Sequence, residues 1–253
     1  MSPALAEFIG TGLLVTFGNG VVANVVLSRT KGNNCGWIVI TAGWGLAVFV
    51  GVFSSQAVSG AHLNPAVTLA MAQAGKFAWS SVPGFLLAQL FGGMAGALMV
   101  FLFYREHFRA TADGDAKLAC FCTGPNIRKL PQAFFCELIG TFLLVLPVFL
   151  MTDAKIRLPG TSGPANEVIV GLGTLGALPV GLLVLAIGLS LGGTTGYAIN
   201  PARDFGPRVA HALLPIPGKR DSDWGYAWIP VVAPLLGGIL AAAVHSLLKS
   251  SAV

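Results

Sequence analysis

The sequence predicts an all-α membrane protein, with six transmembrane helices plus two re-entrant half-helices arranged as an inverted internal repeat. Three observations carry that expectation. Of 253 residues, 55% are apolar and only 10% are charged, whereas a soluble domain carries about 25% charge to cover its wetted surface. Six apolar segments are long enough to cross a hydrocarbon core about 30 Å thick, which takes roughly 20 residues of helix. Two further segments are too short to cross, and both open on the same three residues, Asn-Pro-Ala.

Composition narrows the class further. The net charge of +5 comes from basic residues in the connecting segments, so it points to no nucleic-acid partner. Cys35, Cys120, Cys122 and Cys136 form no CxxC or Cys/His spacing and predict no metal site; nothing argues for a disulfide. The N-terminus lacks a basic n-region and its apolar run exceeds a signal h-region, so the first segment is expected to stay as a membrane helix. Thirty-three glycines suit helices that pack closely within a bilayer.

In chain order the predicted spans are Ala4–Leu27, Trp37–Ser55, Val82–Tyr104, Pro131–Thr152, Glu167–Leu191 and Ala227–Leu248. The pairs Gly92/Gly96 and Gly188/Gly192 predict close helix packing, and Pro179 predicts a kink in the fifth span. After the second span comes Ser59-Gly60-Ala61-His62-Leu63-Asn64-Pro65-Ala66. After the fifth comes Thr195-Gly196-Tyr197-Ala198-Ile199-Asn200-Pro201-Ala202-Arg203. Asn is a strong N-cap and Pro suits the first helical position, so each stretch starts a helix. The first, Asn64–Gly75, is twelve residues, or about 18 Å. Neither half-helix spans alone, but two meeting end to end do.

The spans repeat as well. Ala6-Glu7-Phe8-Ile9-Gly10-Thr11 is matched by Cys136-Glu137-Leu138-Ile139-Gly140-Thr141. From Glu7 to Asn64 is 57 residues and from Glu137 to Asn200 is 63. Each half therefore has three crossings and one half-helix, and an odd number of crossings inverts the second half relative to the first. The expected organisation is one transmembrane domain over residues 1–253, with repeats at 1–104 and 131–253 and a polar, irregular link at 105–130. Inverted repeats whose broken helices meet near the midplane describe a pathway through the membrane.

Non-helical backbone at membrane depth is tolerated only where it is buried or lines a wet cavity. The loops Ser59–Leu63 and Thr195–Ile199 are therefore expected to line that pathway. Asn64 and Asn200 would cap the half-helices at its centre, where two positive helix ends oppose cations. Two ordinary Asn-Pro turns would not require duplicated half-length segments. Glu7 and Glu137 are costly at membrane depth; they read either as proton-coupling groups or as acceptors for loop N–H groups, and their matched placement favours support. His62 has no ligand partner at helical spacing and reads as a pore-lining or loop-bracing residue. Arg203 carries five donors suited to hydroxyls. Its alternative is a snorkelling charge, but Val67 at the equivalent place argues against a need of the repeat itself.

Asn64-Pro65-Ala66 and Asn200-Pro201-Ala202, in corresponding places, resemble the signature of the aquaporin family. Asn200-Pro201-Ala202-Arg203-Asp204-Phe205-Gly206-Pro207 is similar to the aquaglyceroporin branch, which includes bacterial glycerol uptake facilitators, above all in the Asp after the Arg. The resemblance runs from Glu7 to the sixth span. It implies a passive channel for glycerol and other small uncharged solutes that also passes water while excluding protons and ions. It further implies backbone carbonyls from Gly60, Ala61, His62, Gly196, Tyr197 and Ala198 along the pathway, with Glu7 and Glu137 as loop supports. The implied filter is Trp44, Gly188, Tyr197 and Arg203. Gly188, twelve residues before Asn200, stands where strict water channels place a His, and its missing side chain is expected to widen the constriction. Tyr197 stands where the best-known bacterial facilitator has Phe; its hydroxyl would narrow the filter or add a hydrogen bond.

Aromatic faces suit the C–H edge of a polyol, while Arg203 and loop carbonyls suit its hydroxyls. The resemblance also implies a homotetramer in the cell membrane, multi-pass, with both termini inside. Read literally, the positive-inside rule puts the termini outside, because most Lys and Arg residues lie on the side of the 105–130 link. Passive conduction does not depend on orientation, so the expectation follows the resemblance. No cofactor and no enzymatic chemistry are implied; a P-loop, paired carboxylates and a His cluster are all missing. A strict water channel and an ion-coupled secondary transporter are the competing readings.

Overall fold

The computed structural model describes residues 1–152, 154–157 and 167–251. Six helical segments are long and apolar enough to cross a membrane: Pro3–Val26, Trp37–Ser59, Trp79–Phe103, Leu130–Leu150, Gly173–Ser190 and Trp224–Ser250. Within them lie α1 (Pro3–Val26), α2 (Trp37–Ser59), α4 (Val82–Phe103), α7 (Leu130–Leu150), α8 (Leu178–Ser190) and α11 (Ile229–Ser250), the last entered through α10 (Trp224–Ala227). The half-helices are α3 (Pro65–Gln73) and α9 (Pro201–Leu213). At 9 and 13 residues they are about 14 and 20 Å long, so together they match one bilayer core. The link carries two short helices, α5 (Arg105–Ala110) and α6 (Gly114–Ala119).

Two features of the fifth span differ from expectation. Glu167–Ile169 does not begin a helix; it forms strand β2, paired antiparallel with β1 (Lys155–Arg157) in the register Ile156↔Val168. The β-branched run Val168-Ile169-Val170 favours a strand, and Gly173, at φ +55, sets off the 3₁₀ turn Gly173–Ala177 before α8 starts. A two-stranded antiparallel pair thus joins the helices of the described residues. Pro179 falls within the first two positions of α8, where no backbone N–H is needed, so it starts the helix instead of kinking it.

Glycines set the packing and show the repeat. On α4, a Cβ on Gly96 would lie 2.6 Å from the Gly12 carbonyl, and one on Gly92 would strike the Phe8 carbonyl of α1. On α11, Gly237 stands equally close to the Leu138 carbonyl of α7. Each neighbouring glycine instead meets the other half's short helix: Gly93 faces the Ala202 carbonyl and Gly238 the Ala66 carbonyl, each 2.6 Å from the missing Cβ. The third helix of each half therefore clamps the opposite half-helix. Gly45 on α2 and Gly181 on α8 close the remaining seam, each leaving room for the other's carbonyl. Backbones approach this closely only where no side chain intervenes. The result brings the two half-helix N-termini together at the centre.

Candidate functional site

Each Asn-Pro-Ala start forms as its residue types require. The Asn64 side-chain oxygen accepts from Ala66 N–H at 2.9 Å, and that of Asn200 accepts from Ala202 N–H at 3.0 Å and Arg203 N–H at 3.2 Å. Each side-chain amide also reaches across the repeat. Asn64 Nδ2 donates to the Ile199 carbonyl and Asn200 Nδ2 to the Leu63 carbonyl, both at 2.8 Å. An Asn amide has two N–H donors, so one on each residue is left for a solute. Both residues line a cavity of about 240 Å³.

The loops leading to these caps are held in unusual backbone conformations. Gly60, Ala61 and Leu63 have φ of +82, +52 and +51, and Gly196, Tyr197 and Ile199 repeat the pattern at +84, +39 and +43. Non-glycine residues in this region cost of order 1–3 kcal/mol each. The two carboxylates supply the compensation. Glu7 accepts from His62 N–H at 2.9 Å, Leu63 N–H at 2.7 Å, the Ser59 hydroxyl at 2.6 Å and Gln89 Nε2 at 2.7 Å. Glu137 accepts from Ala198 N–H at 2.9 Å and Ile199 N–H at 2.8 Å. Both carboxylates are buried. Among the described residues, the carbonyls of Gly60, Ala61, His62, Gly196, Tyr197 and Ala198 accept no hydrogen bond from the protein. His62 packs against the rings of Phe77 and Phe85, which also touch each other, and its Nδ1 lies 3.2 Å from the Thr68 hydroxyl.

The cavity has two kinds of lining. Val48, Val52, Leu144, Val180 and Val184 give an apolar wall, and the two loops with Asn64 and Asn200 give the polar part. Val67, the counterpart of Arg203, lies on it too. A second cavity of about 540 Å³ opens toward the 105–130 link, lined among others by Trp37, Cys122, Thr123 and Asn126. Trp44, Tyr197 and Arg203 are the three residues that line both. They form the constriction between the two cavities. Trp44 is buried, and Gly18 on α1 has no side chain because the Trp44 ring fills that space. The Arg203 guanidinium lies over the Trp44 ring at 4.0 Å from its centroid, a cation–π contact that fixes its plane. Among the described residues, the guanidinium has no hydrogen-bond partner, and Arg203 lines both cavities.

Gly188 does not join them. It lines neither cavity but stands behind Tyr197: a Cβ there would lie 2.9 Å from Tyr197 Cζ, 3.0 Å from its hydroxyl and 2.9 Å from Thr41 Cγ2. Gly192 is similarly filled by the Tyr197 ring. The Gly188/Gly192 pair thus receives the Tyr197 ring, and Gly188 also packs against Thr41 of α2. Among the described residues, the buried Tyr197 hydroxyl has no partner, and it lies against Gly188. Gly188 acts on the constriction by deciding where the ring can rest.

A network below Arg203 was not anticipated from the sequence. Asp204 and Arg208 are wholly buried and joined by two bonds, Nε at 2.9 Å and Nη2 at 2.8 Å to one carboxylate oxygen. The other oxygen accepts from the Thr123 N–H and hydroxyl, each at 2.7 Å. Arg208 also donates to the Ser222, Asp223 and Thr123 carbonyls, so all five of its donors are used. The network ties the link and the 214–223 loop to α9, just behind Arg203. Beyond the membrane, Arg128 grips Asp223 with two bonds at 2.8 and 2.7 Å and holds its carboxyl below the usual carboxylate range. The spacing Asp204/Arg208, four apart on one helix face, was the available signal; the Thr123 partner had none. All four cysteines are free, and the described residues contain no metal-binding group of three or more His, Cys, Asp or Glu.

Residues 1–245 match the family model described as "Major intrinsic protein". A protein of Thermotoga maritima named "Probable glycerol uptake facilitator protein" is 54% identical, covering 97% of this chain and 99% of that one. The "Glycerol uptake facilitator protein" of Streptococcus pneumoniae strain R6 is 49% identical, over 98% of this chain and 99% of its own. Among solved structures, the aquaglyceroporin of Plasmodium falciparum superposes with a TM-score of 0.79 at 32% identity, covering 95% of this chain and 93% of that chain.

Proposed function

The chain belongs to the major intrinsic protein family, and from that premise we propose that it is a passive transmembrane channel for glycerol and other small uncharged solutes. The observation that carries this reading is the meeting of two cavities at Trp44, Tyr197 and Arg203 alone. Two aromatic side chains beside one guanidinium that has no hydrogen-bond partner among the described residues suit a solute with a C–H edge and a hydroxyl edge. Hydroxyls that find no partner inside the constriction are penalised on leaving water, so shape and pairing select together.

In this reading a glycerol molecule enters from the outer cavity, orients at Arg203 and then follows the free carbonyls of the second loop to Asn200 and Asn64. It leaves along the carbonyls of the first loop. The spare amide N–H of each Asn donates to a solute oxygen at the centre. Water follows the same path. The two half-helix N-termini and Arg203 concentrate positive charge along the passage, which opposes cations and protons. Glu7 and Glu137 act as braces for the loops, because their oxygens are taken by loop N–H groups; this leaves them no place in a proton-coupled cycle. We propose no covalent chemistry and no cofactor. We also propose a homotetramer in which the single domain of each subunit encloses its own pathway.

Stopped-flow light scattering of proteoliposomes tests this. Under a glycerol gradient, vesicles with the protein should re-equilibrate much faster than empty ones, and under a sucrose gradient they should shrink faster by water loss. Water flux with no glycerol flux would favour a strict water channel instead.

A further inference from the structure

Beyond the constriction itself, Trp37 touches two of the residues that shape it. It is the first residue of α2, and its indole Nε1 donates to the Gly188 carbonyl at 3.0 Å. That carbonyl lies in the last turn of α8, where carbonyls lack partners within the helix. The same indole meets the Tyr197 ring edge-on, with centroids 5.8 Å apart and planes at 82°. One side chain therefore touches both the filter ring and the wall on which that ring rests.

The Tyr197 ring is packed in the core but not hydrogen-bonded to it. Its hydroxyl is buried without a partner, so no hydrogen bond of its own sets the ring position. Behind the ring, a Cβ on Gly188 or Gly192 would collide with it. On the outer side, Trp37 is the aromatic contact, and beyond it lies the open outer cavity. We propose that Trp37 is a positioning residue of the filter: by bonding to the Gly188 carbonyl and packing edge-on against Tyr197, it holds the ring in place and so limits the girth of solute admitted. Edge-to-face aromatic contacts contribute beyond their buried area, and the hydrogen bond fixes the indole's orientation. Trp37 itself is 40% exposed, so it acts as a clamp at the edge of the cavity and not as part of the packed core.

The inference rests on the glycerol-channel reading, and one experiment separates the two. Wild type, Trp37→Phe and Trp37→Ala are reconstituted at matched protein content, with Trp79→Ala, exposed before α4, as a control. Permeability is measured by stopped flow for glycerol and for the four-carbon polyol erythritol. Trp37→Ala frees the ring to swing outward, so the erythritol-to-glycerol ratio should rise several-fold. Trp37→Phe keeps the edge contact and loses the bond to Gly188, so its ratio should rise less. The control should match wild type. Equal losses of both permeabilities in the Trp37 variants, with an unchanged ratio, would overturn the proposal and leave Trp37 a merely structural residue. If Trp37→Ala does not reach the membrane, Trp37→Phe decides by the same ratio. Wild-type glycerol permeability at the level of empty vesicles would instead defeat the channel reading itself.

Discussion

Gly188→Ala makes the sharpest single perturbation. The added Cβ would sit 2.9 Å from Tyr197 Cζ and 2.9 Å from Thr41 Cγ2, against an optimal carbon–carbon separation of about 3.5–4.0 Å. Relief requires a shift of roughly 0.6–1 Å, and Thr41 blocks the opposite direction. The Tyr197 ring has its open side on the two cavities, so it moves into the passage. The displaced ring narrows the passage, and each ~1.4 kcal/mol that this adds to a solute's crossing barrier slows it about tenfold. Glycerol permeability should therefore fall on the order of tenfold, while water, being narrower, should lose far less. Stopped flow under separate glycerol and sucrose gradients reads both, and Gly188→His should exaggerate the split. Equal losses, or no change in either, would refute the assignment of Gly188 as the wall behind the filter.

Three further outcomes follow from the same geometry. In Glu137→Gln one of the two loop N–H groups, on Ala198 or Ile199, loses its acceptor, at about 1–3 kcal/mol; thermal unfolding in detergent should begin lower and glycerol flux should drop, and an unshifted unfolding temperature would contradict the bracing role. Asp204→Asn strips the wholly buried Arg208 of its counter-charge and should destabilise by about 3–5 kcal/mol, read as loss of folded protein in detergent at moderate temperature; wild-type stability would count against the network. Asp223, its carboxyl lowered by the hydrogen bond from Arg128, contributes stability that is complete above the ordinary carboxylate value of about 3.9 and is lost as pH falls below it. The unfolding-temperature gap between wild type and Asp223→Asn should accordingly persist to about pH 5, and a gap that closes by about pH 6 would be inconsistent with a lowered pKa.

Most of the fold was legible because long apolar runs and the duplicated Glu…Asn-Pro-Ala pattern each have one physical reading. A half-length helix starting at a capping Asn cannot cross alone, and the inversion follows from counting three crossings. The Glu167–Ile169 strand was missed because its apolar residues run on into the helix beyond, and hydropathy does not distinguish the two. Gly171 and Gly173 were the available punctuation. At the site, the resemblance to the aquaporin family pointed to Trp44, Tyr197 and Arg203, and these three line both cavities. What Gly188 does was not legible, because a missing side chain says nothing about which ring fills the space. Trp37 gave no signal at all: its partners, Gly188 and Tyr197, lie far along the chain and meet it only through the α2–α8 seam. The Gly92-Gly93 and Gly237-Gly238 pairs, by contrast, could have been read as a repeat that clamps each half-helix.

In the proposed function, solute crosses passively between Trp44, Tyr197 and Arg203. The most direct test is glycerol entry into proteoliposomes with identical ionic solutions on both sides and a proton ionophore present. Entry well above that of empty vesicles, rising in proportion to glycerol concentration and unchanged by the ionophore, is the predicted result. Entry no faster than in empty vesicles, or entry that requires an ion gradient, would contradict the account.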